Sequence, residues 1–143
     1  MNKIYTCNAA VIDVTDFPIV TMTCLSENPT HQDIIEFKAL KEKVFDKFDT
    51  PFVVIDDSSN IKWISSSARA EYGRLLNEHD KRYQNLLRAY FIVAPNKLLK
   101  VILNTINKIF KREIRQYVYD DIDMARSFAE LDSEVIKSIS NVS

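Results

Sequence analysis

The order of apolar and polar residues along the chain predicts strands that alternate with helices. Two β-type runs rich in Val, Ile, Thr and Tyr cover residues 5–14 and 19–25, and the turn-forming sequence Asp16-Phe17-Pro18 separates them. These runs predict an N-terminal β-hairpin. Three more short apolar runs predict strands at residues 52–55, 89–94 and 116–119. Because residues 52–55 are all apolar, we place their strand in the middle of the sheet, buried on both faces.

The segments between the strands repeat their apolar residues at helical spacing. Thr30 and Asp33 stand at the first of them with the spacing of a capping box, in which each side chain accepts a hydrogen bond from the backbone N–H of the other residue. Pro95 stands where a third helix begins, and Asp120 or Asp121 caps the fourth. Four helices are therefore predicted, at about residues 31–48, 66–87, 95–110 and 121–131. The final residues, from about 137, are expected to fray.

The predicted element order is β-β-α-β-α-β-α-β-α. This order predicts an α/β fold with a mixed β-sheet, because a hairpin pairs antiparallel whereas strands joined through a helix pair parallel by right-handed crossovers. The chain has 143 residues and no internal repeat or low-complexity linker, and this length can bury a continuous core. We predict one domain over residues 1–143, with its core at about 5–131 and a C-terminal tail at about 132–143.

Composition and charge exclude several classes of function. The 19 basic and 20 acidic residues leave a net charge of -1, so no bulk field attracts nucleic acid. No apolar run approaches the roughly 18 residues of a membrane span, and the N-terminus lacks a signal-peptide core. Gly73 is the only glycine, which excludes glycine-rich phosphate loops. Cys7 and Cys24 lack metal-ligand spacing, so we expect a cytoplasmic protein with no metal, no cofactor and no stable membrane insertion.

The stretch with the most chemical promise is PFVVIDDSSNIKWISSSARAEYGRLL, at residues 51–76. Here a strand ends, crosses a polar turn and delivers Ser65, Ser66 and Ser67 to the start of a helix. A phosphate on Ser66 or Ser67 would meet the free N–H groups and the positive dipole end of that helix. One of the three serines also suits a purely structural role as the N-cap, which is the commoner use of serine at this place.

Several residues around the serines support a site for contact. Asp56 and Asp57 end the strand, and without a neighbouring histidine or third carboxylate we assign them, with Ser58, to turn formation instead of acid–base or metal chemistry. Trp63 is a large apolar group in a polar turn, so it either covers the sheet edge or, if exposed, anchors a partner. Arg69 completes the candidate interaction surface.

An enzyme has the least support. His79 lies on the apolar stripe of the second helix, where a buried core histidine is expected, and His31 opens the first helix with no serine or cysteine nearby. No set of nucleophile, base and orienting group can be assembled from these histidines and the two isolated cysteines.

The third helix carries a basic face opposite its apolar one. A solvated outer face explains it, and contact with an acidic partner or anionic lipid is the alternative. The residues concerned are Lys97, Lys100, Lys108, Lys111 and Arg112.

This succession of elements resembles the STAS domain, the fold of bacterial anti-sigma-factor antagonists and of the cytoplasmic part of sulfate transporters. The resemblance covers about residues 5–131 and centres on VVIDDSSNIKWISSSARA. Asp56 matches the aspartate at the end of the family's central strand, and Ser67 matches the serine that the family's kinases phosphorylate. Ser65 and Ala68 stand where the antagonists carry aspartate and glycine.

The chain also resembles uncharacterised bacterial STAS-like proteins, sometimes described as antagonist-like or STAS/Sec14-related, in the segments VIDDSS, IVAPNKLLKVIL and VYDDIDMARSFAEL. The resemblance implies a non-enzymatic regulatory domain that binds a protein partner, a kinase or another regulator, at the serine turn, with phosphorylation as a gate. It also implies an alternative, a binding module that admits a lipid or small hydrophobic ligand beneath the second and third helices. A homodimer is compatible with either function.

Overall fold

A six-stranded mixed sheet with the order β1-β2-β3-β4-β5-β6 lies at the centre of the computed structural model, which describes residues 3–110 and 114–140. Strands β1 to β3 pair antiparallel, and β3 to β6 pair parallel. The strands are Ile4–Thr6 (β1), Ala10–Asp13 (β2), Ile19–Cys24 (β3), Phe52–Asp57 (β4), Leu87–Val93 (β5) and Arg115–Tyr119 (β6). The helices are His31–Phe45 (α1), Ser66–Arg82 (α2), Lys97–Phe110 (α3) and Ile122–Ser140 (α4).

The sheet separates two apolar cores of unequal size. Successive parallel strands advance in one direction across the sheet, so right-handed crossovers bring α1, α2 and α3 to the same face, and α4 packs alone on the other. Strand β4 alternates between the two cores, with Phe52 and Val54 in the larger one and Val53 and Ile55 in the smaller one. The prediction of a central strand buried on both faces is confirmed.

The capping box of α1 is present as predicted. The Thr30 hydroxyl accepts a hydrogen bond from the Asp33 amide at 3.1 Å, and the Asp33 carboxylate accepts one from the Thr30 amide at 2.9 Å. The helix ends at Phe45 instead of residue 48, but Phe48 keeps its apolar role because its ring packs 4.8 Å from that of Phe52.

The first predicted strand, residues 5–14, is two strands and not one. A tight turn through Asn8 divides it, with the Cys7 amide donating to the Ala10 carbonyl at 3.0 Å, and β1 folds back antiparallel onto β2. Asparagine favours such turns because its side chain can bond the local backbone. The element order therefore gains one strand, β-β-β-α-β-α-β-α-β-α, and β1 becomes the edge of the sheet.

Helix boundaries account for the other corrections. Helix α2 ends at Arg82, five residues short of the predicted limit near 87, which is already the first position of β5. Helix α3 begins at Lys97, capped by the Asn96 side chain, so Pro95 precedes the helix instead of opening it. Lys111 and Arg112, assigned to its basic face, lie outside the described residues.

Helix α4 is much longer than predicted. Asp121 caps it, as one of the two predicted alternatives, by accepting from the Met124 amide at 2.9 Å. It then continues to Ser140 instead of ending at residue 131, because Ser133 is buried and Ile136 packs against the smaller core. The predicted C-terminal tail is therefore mostly helix, while residues 141–143 lie outside the described part of the chain.

Candidate functional site: the loop between β4 and α2

The loop at residues 58–65, called here the β4–α2 loop, leaves the carboxyl end of the central strand and ends at the capped start of α2. Ser65 is the N-cap: its backbone is extended (φ −63°, ψ 160°) and its hydroxyl accepts from the Ala68 amide at 3.4 Å. Ser66 and Ser67 are the first residues of the helix, and all three serines are exposed. The cap is thus assigned to Ser65, which leaves Ser66 and Ser67 as the exposed hydroxyls at the helix start.

Trp63 and Arg69 form a fixed pair beside these serines. The Arg69 guanidinium lies 4.4 Å from the centre of the Trp63 ring, and its Nε donates to the Ile64 carbonyl at 2.7 Å. Trp63 is nevertheless 45% exposed, so a large part of its side chain is open to contact. We call Trp63, Ser66, Ser67 and Arg69 the loop patch.

The two aspartates at the end of β4 serve the loop in different ways. Asp57 accepts from both the amide and the hydroxyl of Ser59, at 3.1 Å and 2.6 Å, which fixes the turn out of the strand. Asp56 is buried and accepts from the Ser58 hydroxyl at 3.2 Å and the Tyr72 hydroxyl at 3.4 Å. Asp56 therefore ties the end of the strand to α2 beneath the loop patch.

Contacts to the end of β3 and to the chain that follows it hold the loop from its other side. The amides of Lys62 and Trp63 both donate to the Glu27 carbonyl, at 2.7 Å and 3.2 Å, and the Asn60 side-chain amide donates to the Cys24 carbonyl at 3.0 Å. The Lys62 ammonium also pairs with the Glu27 carboxylate at 3.2 Å. A loop tied at so many backbone positions presents its outward side chains in a defined geometry, which lowers the entropy lost on binding.

A small apolar cavity of about 50 Å³ lies beneath the loop. Its walls come from α1, the underside of the loop, the sheet and one residue each of α2 and α3. The apolar members include Met22, Ile34, Phe37, Ile61, Ile64 and Leu103. Asp56, Ser58 and Tyr72 provide its polar corner. The sequence placed an apolar site beneath the second and third helices, whereas this cavity lies mainly beneath α1 and the β4–α2 loop.

Cys24 borders the cavity as a protonated thiol. Burial raises its pKa to about 11, and the negative charges of Asp56, Asp33 and Asp57 act in the same direction. The thiol is therefore not activated as a nucleophile near pH 7. Among the described residues, no group of three or more His, Cys, Asp or Glu side chains could hold a metal ion.

A buried polar cluster between α1 and β5 escaped the sequence analysis. Lys41 is fully buried, donates to the Tyr90 hydroxyl at 2.8 Å and lies over the rings of Phe37 and Phe45 at 5.9 Å and 5.5 Å. A signal for it existed in the sequence: Lys41 stands four residues from each of two apolar aromatics, on the face that the helical spacing assigns to the core. His79 is fully buried beside this cluster, as predicted.

No protein-family model and no curated protein sequence matches this chain. Among solved structures, it superimposes with a TM-score of 0.57 on an uncharacterized protein of the DUF3478 family from Shewanella loihica, which is described as having a SpoIIAA-like fold. The alignment covers 88% of this chain and 90% of the other, at 14% sequence identity. The chain has a SpoIIAA-like fold. The predicted resemblance to the STAS domain is confirmed at the level of the fold, including its mixed α/β sheet.

Within this SpoIIAA-like fold, the predicted site residues gather around one loop. Trp63, Ser65, Ser66, Ser67 and Arg69 share its outer surface, while Asp56 and Ser58 lie underneath it. In the part of the chain that the structure describes, no helix is long and apolar enough to cross a lipid bilayer.

Proposed function

We propose that this chain is a non-enzymatic regulatory module that binds a protein partner, a kinase or another regulator, through the loop patch. The observation that carries the proposal is the stacked Trp63–Arg69 pair, held in place yet exposed beside the helix start of a SpoIIAA-like fold. Trp and Arg are among the side chains most often found to dominate binding energy at protein interfaces. A preset Trp–Arg pair supports a docking role better than a catalytic one.

Phosphate on Ser66 or Ser67 would gate this contact. The first turn of α2 contains no acidic residue, and its N–H groups and dipole favour an anion by roughly 0.3–1 kcal/mol. The Arg69 guanidinium stands on the same turn and could pair with a phosphate by charge-assisted hydrogen bonds. Such a pairing would draw Arg69 away from Trp63, so one modification would change both the charge and the shape of the loop patch.

The contacts of the serines favour binding over nucleophilic catalysis. The Ser65 hydroxyl accepts from the Ala68 amide and lies 3.4 Å from the Ser67 hydroxyl, an arrangement that caps the helix without activating an oxygen. His79 stays neutral in the core, because burial and the neighbouring cations lower its pKa to about 2. Neither feature supplies the base that a serine nucleophile needs near pH 7.

Charge substitution at the helix start tests this proposal. Wild type and Ser66→Asp/Ser67→Asp are immobilised, exposed to extract of the native host, and their retained proteins are quantified by mass spectrometry. We expect the variant to retain at least about tenfold less of each partner than wild type does, because each Asp adds a negative charge to the loop patch. The fold should persist, because an acidic residue stabilises the start of α2. Trp63→Ala should lose the same partners without any change of charge.

Gln84→Asp/Asn85→Asp is the matched control. Both positions are exposed beyond the far end of α2, so the same two charges are added at a distance from the loop patch. The control should retain the partners of the wild type. Retention of the same partners by Ser66→Asp/Ser67→Asp and by Trp63→Ala would refute docking through the loop patch.

A second candidate function is binding of a small hydrophobic ligand in the cavity beneath the loop. The apolar walls and the Asp56 carboxylate favour a ligand with a few carbon atoms and one cationic or hydrogen-bond-donating group. Size places this function second, because about 50 Å³ is only a third of the roughly 150 Å³ that holds benzene in an engineered protein cavity. A lipid tail would require α1 to move away from the β4–α2 loop.

The mass of the protein purified from its native host distinguishes the two functions. A non-covalent adduct that survives native mass spectrometry and is lost on denaturation supports the cavity ligand. A mass increase of one phosphate that maps to Ser66 or Ser67 supports the gated docking surface.

A further inference from the structure

The outward face of α4 carries a continuous apolar stripe. Met124, Phe128, Leu131 and Val135 are exposed by 49%, 47%, 64% and 58%. They are spaced by four, three and four residues, the heptad spacing that places apolar side chains in one line along a helix. The opposite face of α4, which includes Ala125, Ala129 and Ile136, packs against the sheet. The helix is therefore apolar on two sides, and only one of them is covered by the sheet.

The stripe continues onto the outermost parallel strand of the sheet. The Phe128 ring stacks on that of Tyr119 at 5.3 Å, and Tyr117 on the same strand stacks on Phe91 at 5.5 Å while remaining 39% exposed. We call the stripe together with Tyr117 the α4 patch. It is a single surface shared by a helix and a sheet edge.

The area of the α4 patch indicates an interface. Large apolar and aromatic side chains that are about half exposed present roughly 100 Å² each, so five of them present on the order of 500 Å². This value is at the upper end of what monomeric proteins expose in one patch. Two such surfaces in contact would bury on the order of 1,000 Å² before the polar rim is added, which reaches the size of a biological interface.

The charges around the stripe argue against a membrane surface. The exposed residues beside Leu131 are acidic, Glu130 and Glu134, and Lys137 next to them is paired with Glu134 at 3.9 Å. On the sheet side, the Asp132 carboxylate pairs with the Arg115 guanidinium at 3.2 Å. Helices that lie on membranes carry an excess of Lys and Arg on the polar face that flanks the apolar one. An acidic rim of this kind repels anionic lipid.

We propose that the α4 patch binds the α4 patch of a second copy of this chain, with the two helices antiparallel. Met124 then faces Val135 of the second copy. Phe128 faces Leu131 in the same way, so each layer joins a longer side chain to a shorter one. The arrangement closes on itself by a two-fold axis and does not propagate into a filament.

Charge is compatible with this pairing. In an antiparallel pair of heptads, Glu134 lies beside Ser127 of the second copy. Asp132 is paired with Arg115 on the sheet side of the helix, so no like charges are opposed in this arrangement. The dimer does not rest on the proposed function, because α4 occupies the face of the sheet opposite to α2 and leaves both loop patches free.

The association state of the full chain tests the dimer. Wild type is expected to have twice the chain mass of 16.6 kDa in sedimentation equilibrium at micromolar concentration. Leu131→Glu/Val135→Glu should weaken the dimer at least about 100-fold, because it places four like charges in a dry contact. Leu98→Glu/Val101→Glu is the matched control: these positions on α3 are exposed by 46% and 60%, and the control should dimerise like the wild type.

Three outcomes would overturn the proposal: a wild type that remains monomeric at about 100 μM, a Leu131→Glu/Val135→Glu variant that dimerises as strongly as wild type, or a control that loses the dimer equally. All four substituted positions are exposed, so circular dichroism should show an unchanged fold. Leu131→Ala/Val135→Ala repeats the test without added charge and should also weaken the dimer, by at least about tenfold.

Discussion

The imidazole of His79 is fully buried on the α1 side of α2, with Nε2 at 3.0 Å from the Glu42 carboxylate. Burial lowers its pKa to about 2, and the positive charges of Lys41, Lys38 and Arg82 act in the same direction. The contact with Glu42 is therefore a hydrogen bond donated by a neutral ring and not an ion pair. Within the described residues Nδ1 has no hydrogen-bond partner, so a second proton there would be buried without compensation.

This burial makes stability depend on pH. His79 has a lower pKa in the folded chain than its ordinary value of 6.5, so below pH 6.5 the unfolded state binds the additional proton. The free energy of unfolding should fall as pH decreases from 6.5 towards 2, by up to about 1.4 kcal/mol per pH unit from this group. His79→Gln keeps a donor for Glu42 but cannot titrate. Urea unfolding at pH 7 and at about pH 5 should show a smaller loss for this variant than for wild type, and equal losses would contradict the assignment.

The residue contacts that the sequence predicted are local ones. Thr30 and Asp33 are three positions apart, and helix geometry alone brings their side chains to each other's backbone. The bond between Asp56 and Tyr72 spans a whole loop, and the bond between Lys41 and Tyr90 joins a helix to a distant strand. Such pairs are set by how elements pack, which the periodicity of one segment does not encode.

At the scale of the element, the start of α2 separates a structural serine from the two proposed for contact. Ser65→Ala should lower the free energy of unfolding by about 0.5–1 kcal/mol, the lower part of the range for caps, because its bond to the Ala68 amide is long at 3.4 Å. Ser66→Ala and Ser67→Ala should each stay within about 0.5 kcal/mol of wild type. Thermal and urea unfolding of the three variants measure this order, and a larger effect at Ser66 than at Ser65 would move the cap by one residue.

The element boundaries that the sequence analysis missed have physical causes. Residues 5–14 are apolar enough for one strand, but the turn at Asn8 lets the two halves pair with each other instead. Residues 132 and 133, just past the predicted end of α4, are Asp and Ser, which are weak helix formers. The ion pair between Asp132 and Arg115 and the burial of Ser133 carry the helix through them.

At the scale of the molecule, the sheet order decides how the two faces are covered. The alternation of strands and helices predicted an α/β fold, and this is what the structure shows. It did not predict the strand order, because a crossover connection of a given length can add the next strand on either side of a sheet. The observed order adds every strand on the same side, so three helices share one face and α4 alone covers the other.

Unequal cover should give unequal local stability, which native-state hydrogen exchange can measure. Strand β4 pairs with β3 and β5 and is buried on both faces, so its amides should exchange only through global unfolding. Helix α4 packs on the smaller core and should open at a lower free energy.

If a second copy covers the α4 patch, the protection of α4 should also rise with protein concentration, because association stabilises the closed helix by mass action. The Leu131→Glu/Val135→Glu variant should lose this concentration dependence. The protection of β4 in the variant should stay close to that in wild type at low and at high protein concentration. Equal protection of α4 and β4 at the lowest concentration would show that the two faces unfold as one unit. In that event α4 would open at the same free energy as β4, and the expectation that the face covered by one helix is less stable than the face covered by three would be wrong.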